Sequence, residues 1–482
     1  MTSTFNPVDG MSLATSAQLR QQIRALENAM EVAGGDPGEI DSLTSSLRDY
    51  RDPKGKDLFA RVDDFFAWQD GRRQRGYWPY AKSSETAPKA VCAARDDAGR
   101  PLDGVNFSSQ DYLGLSSHPE IVAAAKHAID AYGVHSAGSQ CFLGNTKYSL
   151  ALQKCIADFL GMKHAVLYPT GWAAGYGAIK GLIRADDHVL IDALGHACLQ
   201  DGAAAATRNV HLHAHLNVQS ARRQLERIRS RDKNNAILVV TEALFSMDSD
   251  TPDIAAMQEL CREYDARLMI DVAHDLGNIG ADGTGHIGLQ QMLGKVDIVM
   301  GAFSKTFASN GGFVAVNSPA VAEYLRYFGS AGTFSNALSP SQAAIVLKAF
   351  DIVRSAEGRE LRASMMRNIM MLRGELEKAG MEIYGDPSAI VSVKVGNESF
   401  ARIVSKHLPH LGVVANLVEF PAVPKGSARF RLQVMATHTP DHVRQLVRRF
   451  LIAIETARTV YDRYRDLAVP ADEPAQVQAV GA

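Results

Sequence analysis

The chain has 482 residues and a formal net charge of −2, with 46% hydrophobic and 22% charged residues. That balance describes a globular chain with a large core, long enough for two or three domains, and no charge excess points to a nucleic-acid or membrane-surface partner. Five scattered cysteines (Cys92, Cys141, Cys155, Cys198, Cys261) form no CxxC pair, so neither a disulfide framework nor a metal site is expected. The N-terminus, MTSTFNPVDG, has no basic flank and no apolar core of a signal peptide. No uninterrupted apolar run approaches the roughly 18 residues of a membrane span, so a cytoplasmic protein is the default expectation.

In chain order, residues 1–105 read as an N-terminal leader with helical segments. Residues 16–31 have the period of an amphipathic helix, with Leu19, Ile23, Leu26 and Met30 on one face, and Gly34-Gly35-Asp36-Pro37-Gly38 breaks it. A second helical stretch covers 58–75. The leader's role stays open: it packs on the body, contacts a partner, or does neither.

From Asn106 short apolar runs alternate with helical segments. HAVLYP, HVLID, AILVVTE, RLMID and DIVMG are continuously apolar, the pattern of strands buried on both faces of a parallel sheet. Helical patterns at 218–228 and 254–264 lie between some of them, which makes an α/β doubly wound large domain over 106–338. A long helical region begins near Ser339 and runs to Gly380. AIVSVKV and ARFRLQVM then read as strands, followed by a helix over 440–464. This is a smaller α+β domain, 339–468, with a disordered tail at 469–482.

The chemistry concentrates at strand ends, where open α/β sheets bind ligands. DIVMGAFSK ends an apolar strand with Ser304-Lys305. Burial there lowers a lysine pKa and frees the amine as a nucleophile, as a Schiff-base lysine requires. Taken alone, Lys305 reads first as a surface lysine on a strand-to-loop turn. Upstream, RLMIDVAH ends its strand in Asp271, with His274 three residues on. Strand-Asp-x-x-His followed by strand-Ser-Lys is the constellation of pyridoxal-phosphate (PLP) enzymes of the aspartate-aminotransferase type, fold type I. In that reading Asp271 pairs with the pyridine nitrogen, His196 stacks on the ring and His274 reaches the phenolic oxygen. The turn Tyr168-Pro169-Thr170-Gly171-Trp172 offers backbone N–H groups at a helix start for a phosphate, with Ser304, Thr333 and Ser335 as added hydroxyls. Arg429 and Arg431, two apart on a strand, share a face, and one of them suits a substrate carboxylate.

Across 106–450 the sequence resembles the α-oxoamine synthases, the family of 8-amino-7-oxononanoate synthase, 2-amino-3-ketobutyrate CoA ligase, 5-aminolevulinate synthase and serine palmitoyltransferase. The resemblance is carried by NFSSQDYLGL, YGVHSAGSQCFLGN, YPTGWAAG, IDALGHACLQDG, TEALFSMDSD, DVAHDLGNIGADGTG, GAFSKTFASNGGF, TFSNALSP and FPAVPKGSARFRLQVMATHTP. It implies decarboxylative condensation of an amino acid with an acyl thioester, on CoA or an acyl carrier protein, to give an α-amino ketone. It implies PLP on Lys305, with Asp271 and His196 as further catalytic residues, and Thr170, Gly171, Trp172, Ser246, His274, Ser304, Thr333 and Ser335 as cofactor contacts. It implies Arg431 on the amino-acid carboxylate, and a homodimer in which Ser335 serves the opposite subunit's phosphate. No nucleic acid or metal is expected. Several positions depart from the family's pattern: Gln110 for asparagine, Gln140 for arginine, Ser149 for histidine, Gln153 for glutamate, Gly175 for asparagine, Asp275 for a small residue and Ala302 for a hydroxyl residue. They put the usual substrates in doubt, the thioester side above all, and make Gln110 and Gln140 further substrate-binding candidates. Two other readings remain: an aminotransferase acting on a 2-oxo acid, and a non-catalytic partner subunit of a related synthase.

Overall fold

The computed structural model describes residues 42–465. The 16–31 helix and the tail from Val469 lie outside the described residues.

A seven-stranded sheet forms the centre, in the order His164–Tyr168, Gly312–Val316, Ile298–Ala302, Arg267–Asp271, Ile237–Glu242, His188–Asp192, Asn209–His213. All strands run parallel except Gly312–Val316, which is antiparallel to both neighbours. The continuously apolar runs follow from burial on both faces. Ala165 and Leu167 enter one core while Val166 and Tyr168, on the same strand, enter the other. Two strands of this sheet escaped the sequence reading. Asn209–His213 alternates polar and apolar residues at the sheet edge, and Gly312–Val316 follows the Lys305 loop so closely that it reads as part of it.

The sheet's carboxyl edge is where the helices begin. Thr170 accepts from Ala173 N at 3.0 Å and caps Gly171–Leu182; His196 Nδ1 accepts from Cys198 N at 3.3 Å and caps Ala197–Ala206. The first of these helices must pack tightly on the sheet: a Cβ on Gly171 would sit 2.3 Å from Cβ of Ala302. The long helical region is two helices, Pro340–Arg354 and Ala356–Lys378. Ser355 separates them, its hydroxyl accepting from Gly358 N at 3.2 Å.

The Asp192 strand end is fixed by an ion cluster. His215 lies 2.9 Å from Asp192 and 3.1 Å from Asp250. Burial alone would lower the pKa of His215, but the two carboxylates override it and push it up to about 10. A raised folded-state pKa contributes stability that is complete below the ordinary histidine value and fades as pH rises toward about 10. Melting temperature should therefore fall from pH 6.5 to 10 more steeply in the wild type than in His215→Asn, for which a pH series is the check.

A second sheet orders Ile390–Gly396, Ala428–Gln433, Val413–Val418, Gly104–Phe107 and Val91–Cys92. Val91–Cys92 comes from the leader and Gly104–Phe107 straddles its end at residue 105, so the described part of the leader joins the C-terminal strands in one sheet. Val105 N donates to Gly412 O at 3.0 Å, and a Cβ on Gly104 would fall 2.0 Å from that oxygen. The leader helix Asp63–Arg75 adds a buried ion cluster. Arg72 lies over the Trp68 ring at 4.1 Å and 3.6 Å from Glu419, which Arg402 also holds at 2.7 Å. All three charged side chains are fully covered. Removing one partner would leave an uncompensated buried charge. The described part of the leader, residues 42–105, packs on the body.

Candidate active site

Three adjacent strand ends bring the chemistry together. Asp271 closes one strand, Glu242 is its register partner on the next, and Lys305 follows the third. Asp271 is buried, accepts from Ala273 N at 2.8 Å, and is pushed up by burial, with Lys305 opposing. Glu242 is pushed well up, first by burial and then by the Asp271 charge; it accepts from His196 N at 2.6 Å. Burial draws the Lys305 amine down, and Asp271 opposes that too. Two buried carboxylates thus face one amine, a site that favours a second cation.

His274 is buried with Nδ1 2.9 Å from Tyr112 Oη, and its chain is braced by Asn278 Nδ2, which donates to His274 O and Thr306 Oγ1, each at 2.9 Å. Burial, followed by the positive charges of Lys305, Arg431 and His196, holds His274 far below the ordinary histidine value, so it is a neutral imidazole. The exposed ring of His196 stands above this floor, its Nδ1 3.1 Å from Cys198 Sγ.

The two arginines part company. Phe430 between them enters the core against Phe450. Arg429 pairs with Asp248, donates to Met247 O at 3.2 Å and lies 4.0 Å over the Tyr384 ring. Among the described residues Arg431 has no such partner: Nε is buried without a hydrogen bond, and Nη1 reaches only Met247 Sδ at 4.0 Å. A buried guanidinium without an anion is costly unless a ligand completes it.

The remaining candidates are placed as follows. Gly171 and Trp172 begin their helix beside Ala302, with Trp172 stacked on Tyr176. Ser246 is buried just past the Glu242 strand, and Ser304 is exposed beside Lys305. The Thr333 hydroxyl donates back to the end of the preceding helix, to Arg326 O at 2.9 Å, and to Gly329 O at 3.2 Å. Ser335 is half-buried on the next turn. Gln110 follows Ser108-Ser109, which line the same cavity as Arg431. Gln140 does not line that cavity; its buried amide lies against Gly332 with both polar atoms unpartnered. Asp275, the departure beside His274, points away into the fold and accepts from His286 N at 2.7 Å. Glu242 and Tyr112 were missed from sequence. Glu242 closes the AILVVTE strand in the position that Asp271 holds on its neighbour, a signal that was available.

This geometry fits PLP: an amine of lowered pKa, buried carboxylates awaiting a cation, free helix N–H groups at Gly171, and an unpaired guanidinium. Residues 103–450 match the family model for aminotransferase class I and II, and the chain belongs to that family of PLP fold type I enzymes. Within it, the curated relatives are α-oxoamine synthases. The chain is 35% identical to 8-amino-7-oxononanoate synthase of Pectobacterium atrosepticum, over 71% of this chain and 87% of that one. It is 33% identical to serine palmitoyltransferase of Sphingobacterium spiritivorum, over 84% and 98%. Among solved structures, a serine palmitoyltransferase from S. paucimobilis carrying PLP and myriocin superposes with a TM-score of 0.78 at 27% identity, covering 84% of this chain and 100% of that one. The resemblance read from the sequence motifs and the fold class expected from them both hold.

Proposed function

We propose that the protein condenses an amino acid with an acyl thioester, on CoA or an acyl carrier protein, with loss of CO2, giving an α-amino ketone. The observation that carries this reading is the unpaired Arg431 guanidinium beside the Lys305–Asp271 pair, in a chain of this family. PLP, when bound, supplies an electron sink for the bond broken at the amino acid's α-carbon. Lys305 holds the cofactor through its amine and then moves the α-proton. Asp271 holds a proton at the pyridine nitrogen, and Glu242 keeps the backbone under His196 in place. His196 would cover the face of the bound ring, and neutral His274, oriented by Tyr112, would be the partner for its phenolic oxygen. Backbone N–H groups at Gly171 and Trp172, with the hydroxyls of Thr170, Ser246 and Ser304, suit the phosphate, whereas the Thr333 proton is committed to backbone carbonyls.

Arg431 grips the substrate carboxylate in a fork, which aligns the α-hydrogen with Lys305. Arg431→Lys should raise the amino-acid KM about tenfold or more, since a point charge does not replace a bidentate pair. The thioester KM should hardly move. Arg429→Lys should lower the melting temperature and leave the amino-acid KM unchanged, because Arg429 already has Asp248. Steady-state kinetics and melting curves of the two variants decide between them; the reverse pattern would assign the carboxylate to Arg429.

The working unit in this reading is a homodimer. Phe142, Leu143 and Phe334 are each 87–91% exposed beside Ser335, an apolar cluster at the site's rim that suits a second copy. Ser335 then serves the other subunit's phosphate. Five unpaired thiols suit a reducing compartment such as the cytoplasm, and no described helix is long and apolar enough to cross a membrane. The reaction is tested by free-thiol release from a thioester panel with mixed amino acids. Amino-group exchange with a 2-oxo acid and no thiol released would make the protein an aminotransferase.

A further inference from the structure

The cap on the helix Ala197–Ala206 has a chemical consequence for the His196 ring. The backbone N–H of Cys198 donates to His196 Nδ1 at 3.3 Å, and Cys198 Sγ lies 3.1 Å from the same nitrogen. A backbone N–H has a proton to give and no lone pair to offer, so Nδ1 is the acceptor. A neutral imidazole that accepts at Nδ1 carries its proton at Nε2. The thiol beside that acceptor is then a second donor, with its S–H aimed at Nδ1.

The thiol keeps that proton. Cys198 is buried, and burial pushes its pKa far above the ordinary thiol value. The charges of Asp271 and then Glu242 push the same way, with Lys305 opposing. Room for the sulfur comes from a different helix. Gly175, on Gly171–Leu182, packs against Cys198 so closely that a Cβ there would fall 2.7 Å from Sγ. Sγ escapes such a clash by rotating about χ1, which takes it off His196. Gly175 is one of the departures from the family's pattern, and the sulfur gives it a physical reason. Capping the helix needs only the backbone N–H, so the cap alone does not account for the thiol.

We propose that Cys198 is a positioning residue: its thiol, together with the backbone N–H beside it, fixes His196 as the Nε2–H tautomer and holds the ring above the Lys305–Asp271 floor, with Gly175 keeping the sulfur in reach. Nε2 lies across the ring from the buried thiol, and the His196 side chain is exposed. The ring thus meets an incoming substrate as a hydrogen-bond donor and not as an acceptor. What the ring covers rests on the proposed reaction; the tautomer does not.

The test reads the thiol and the ring directly, in the PLP-loaded full chain and without turnover. The S–H stretch lies in a part of the infrared spectrum clear of other protein bands, and the difference between wild type and Cys198→Ala isolates this thiol among the five. Its band should lie below the free-thiol frequency and move up in His196→Phe and in Gly175→Ala. Nitrogen-15 NMR of histidine-labelled protein should show His196 protonated at Nε2 and bare at Nδ1, in the wild type and in Cys198→Ser, with a share of the other tautomer in Cys198→Ala. A band at the free-thiol frequency, a band that stays put in His196→Phe, or a proton on Nδ1 in the wild type would overturn the proposal. Turnover adds a third reading. Cys198→Ala should lower kcat about fivefold, the scale of one hydrogen bond, and Cys198→Ser should restore it. Equal kcat in all three would reduce Cys198 to packing. Absence of thiol release from every substrate pair would refute the condensation reaction and leave both spectra to decide the role of Cys198.

Discussion

Lys305→Ala is expected to lose turnover by about 10²–10⁴-fold, the scale of removing a positioned acid–base group. In the proposed reading two functions fall on one nitrogen: it holds the cofactor, and it moves the α-proton. The setting supports both. The amine follows the buried strand Ile298–Ala302, and burial draws its pKa down while Asp271 opposes. A neutral amine attacks, and a nearby carboxylate steadies the cation when the proton returns. The variant should still fold, because no hydrogen bond to another element depends on this side chain among those described. Borohydride treatment of the PLP-loaded wild type should fix the cofactor to the Lys305 peptide, and the variant should not be labelled. Label on any other lysine would assign the role elsewhere.

Asp271→Asn is expected to lower kcat by about 10²–10³-fold, as for loss of an electrostatic contact to charge that develops during reaction. The substitution keeps the shape and removes the charge. It should also have an opposite effect on stability. Glu242 and Asp271 are register partners, both buried, and the Asp271 charge helps push Glu242 up. Removing one of the two charges relieves the cofactor-free protein, so its melting temperature should hold or rise while activity collapses. That pairing of outcomes is the mark of a residue kept for chemistry at a cost in stability. Near-normal kcat would remove Asp271 from the mechanism; a large fall in melting temperature would make it a structural carboxylate.

Much of this was legible in the sequence, for physical reasons that differ by element. The strands ending at Tyr168, Asp192, Glu242, Asp271 and Ala302 are buried on both faces, so continuous apolar runs announce them. Their carboxyl ends carry Thr170, His196, Asp271 and Lys305 to one edge, which strand order alone makes into a site. Gly312–Val316 was hidden because an antiparallel strand inside a parallel sheet has no distinct composition. The choice between Arg429 and Arg431 was also beyond strand alternation, which puts both on one face. It turns on Asp248 and Tyr384, which meet Arg429 from other parts of the chain. The leader's docking was equally hidden: Arg72 reads as one more charge in a charged helix, and only Glu419, far along the chain, makes it a buried ion partner. Asp275 looked like a change in the site and is instead committed to His286.

The central claim, that this site breaks the carboxylate from an amino acid while joining it to an acyl group, meets its most direct test with a carboxyl-¹³C-labelled amino acid and an acyl thioester. The account predicts labelled CO2 and free thiol in equal amounts, both abolished in Lys305→Ala. Thiol release with the label retained in the product, or amino-group exchange with a 2-oxo acid and no labelled CO2, would contradict it.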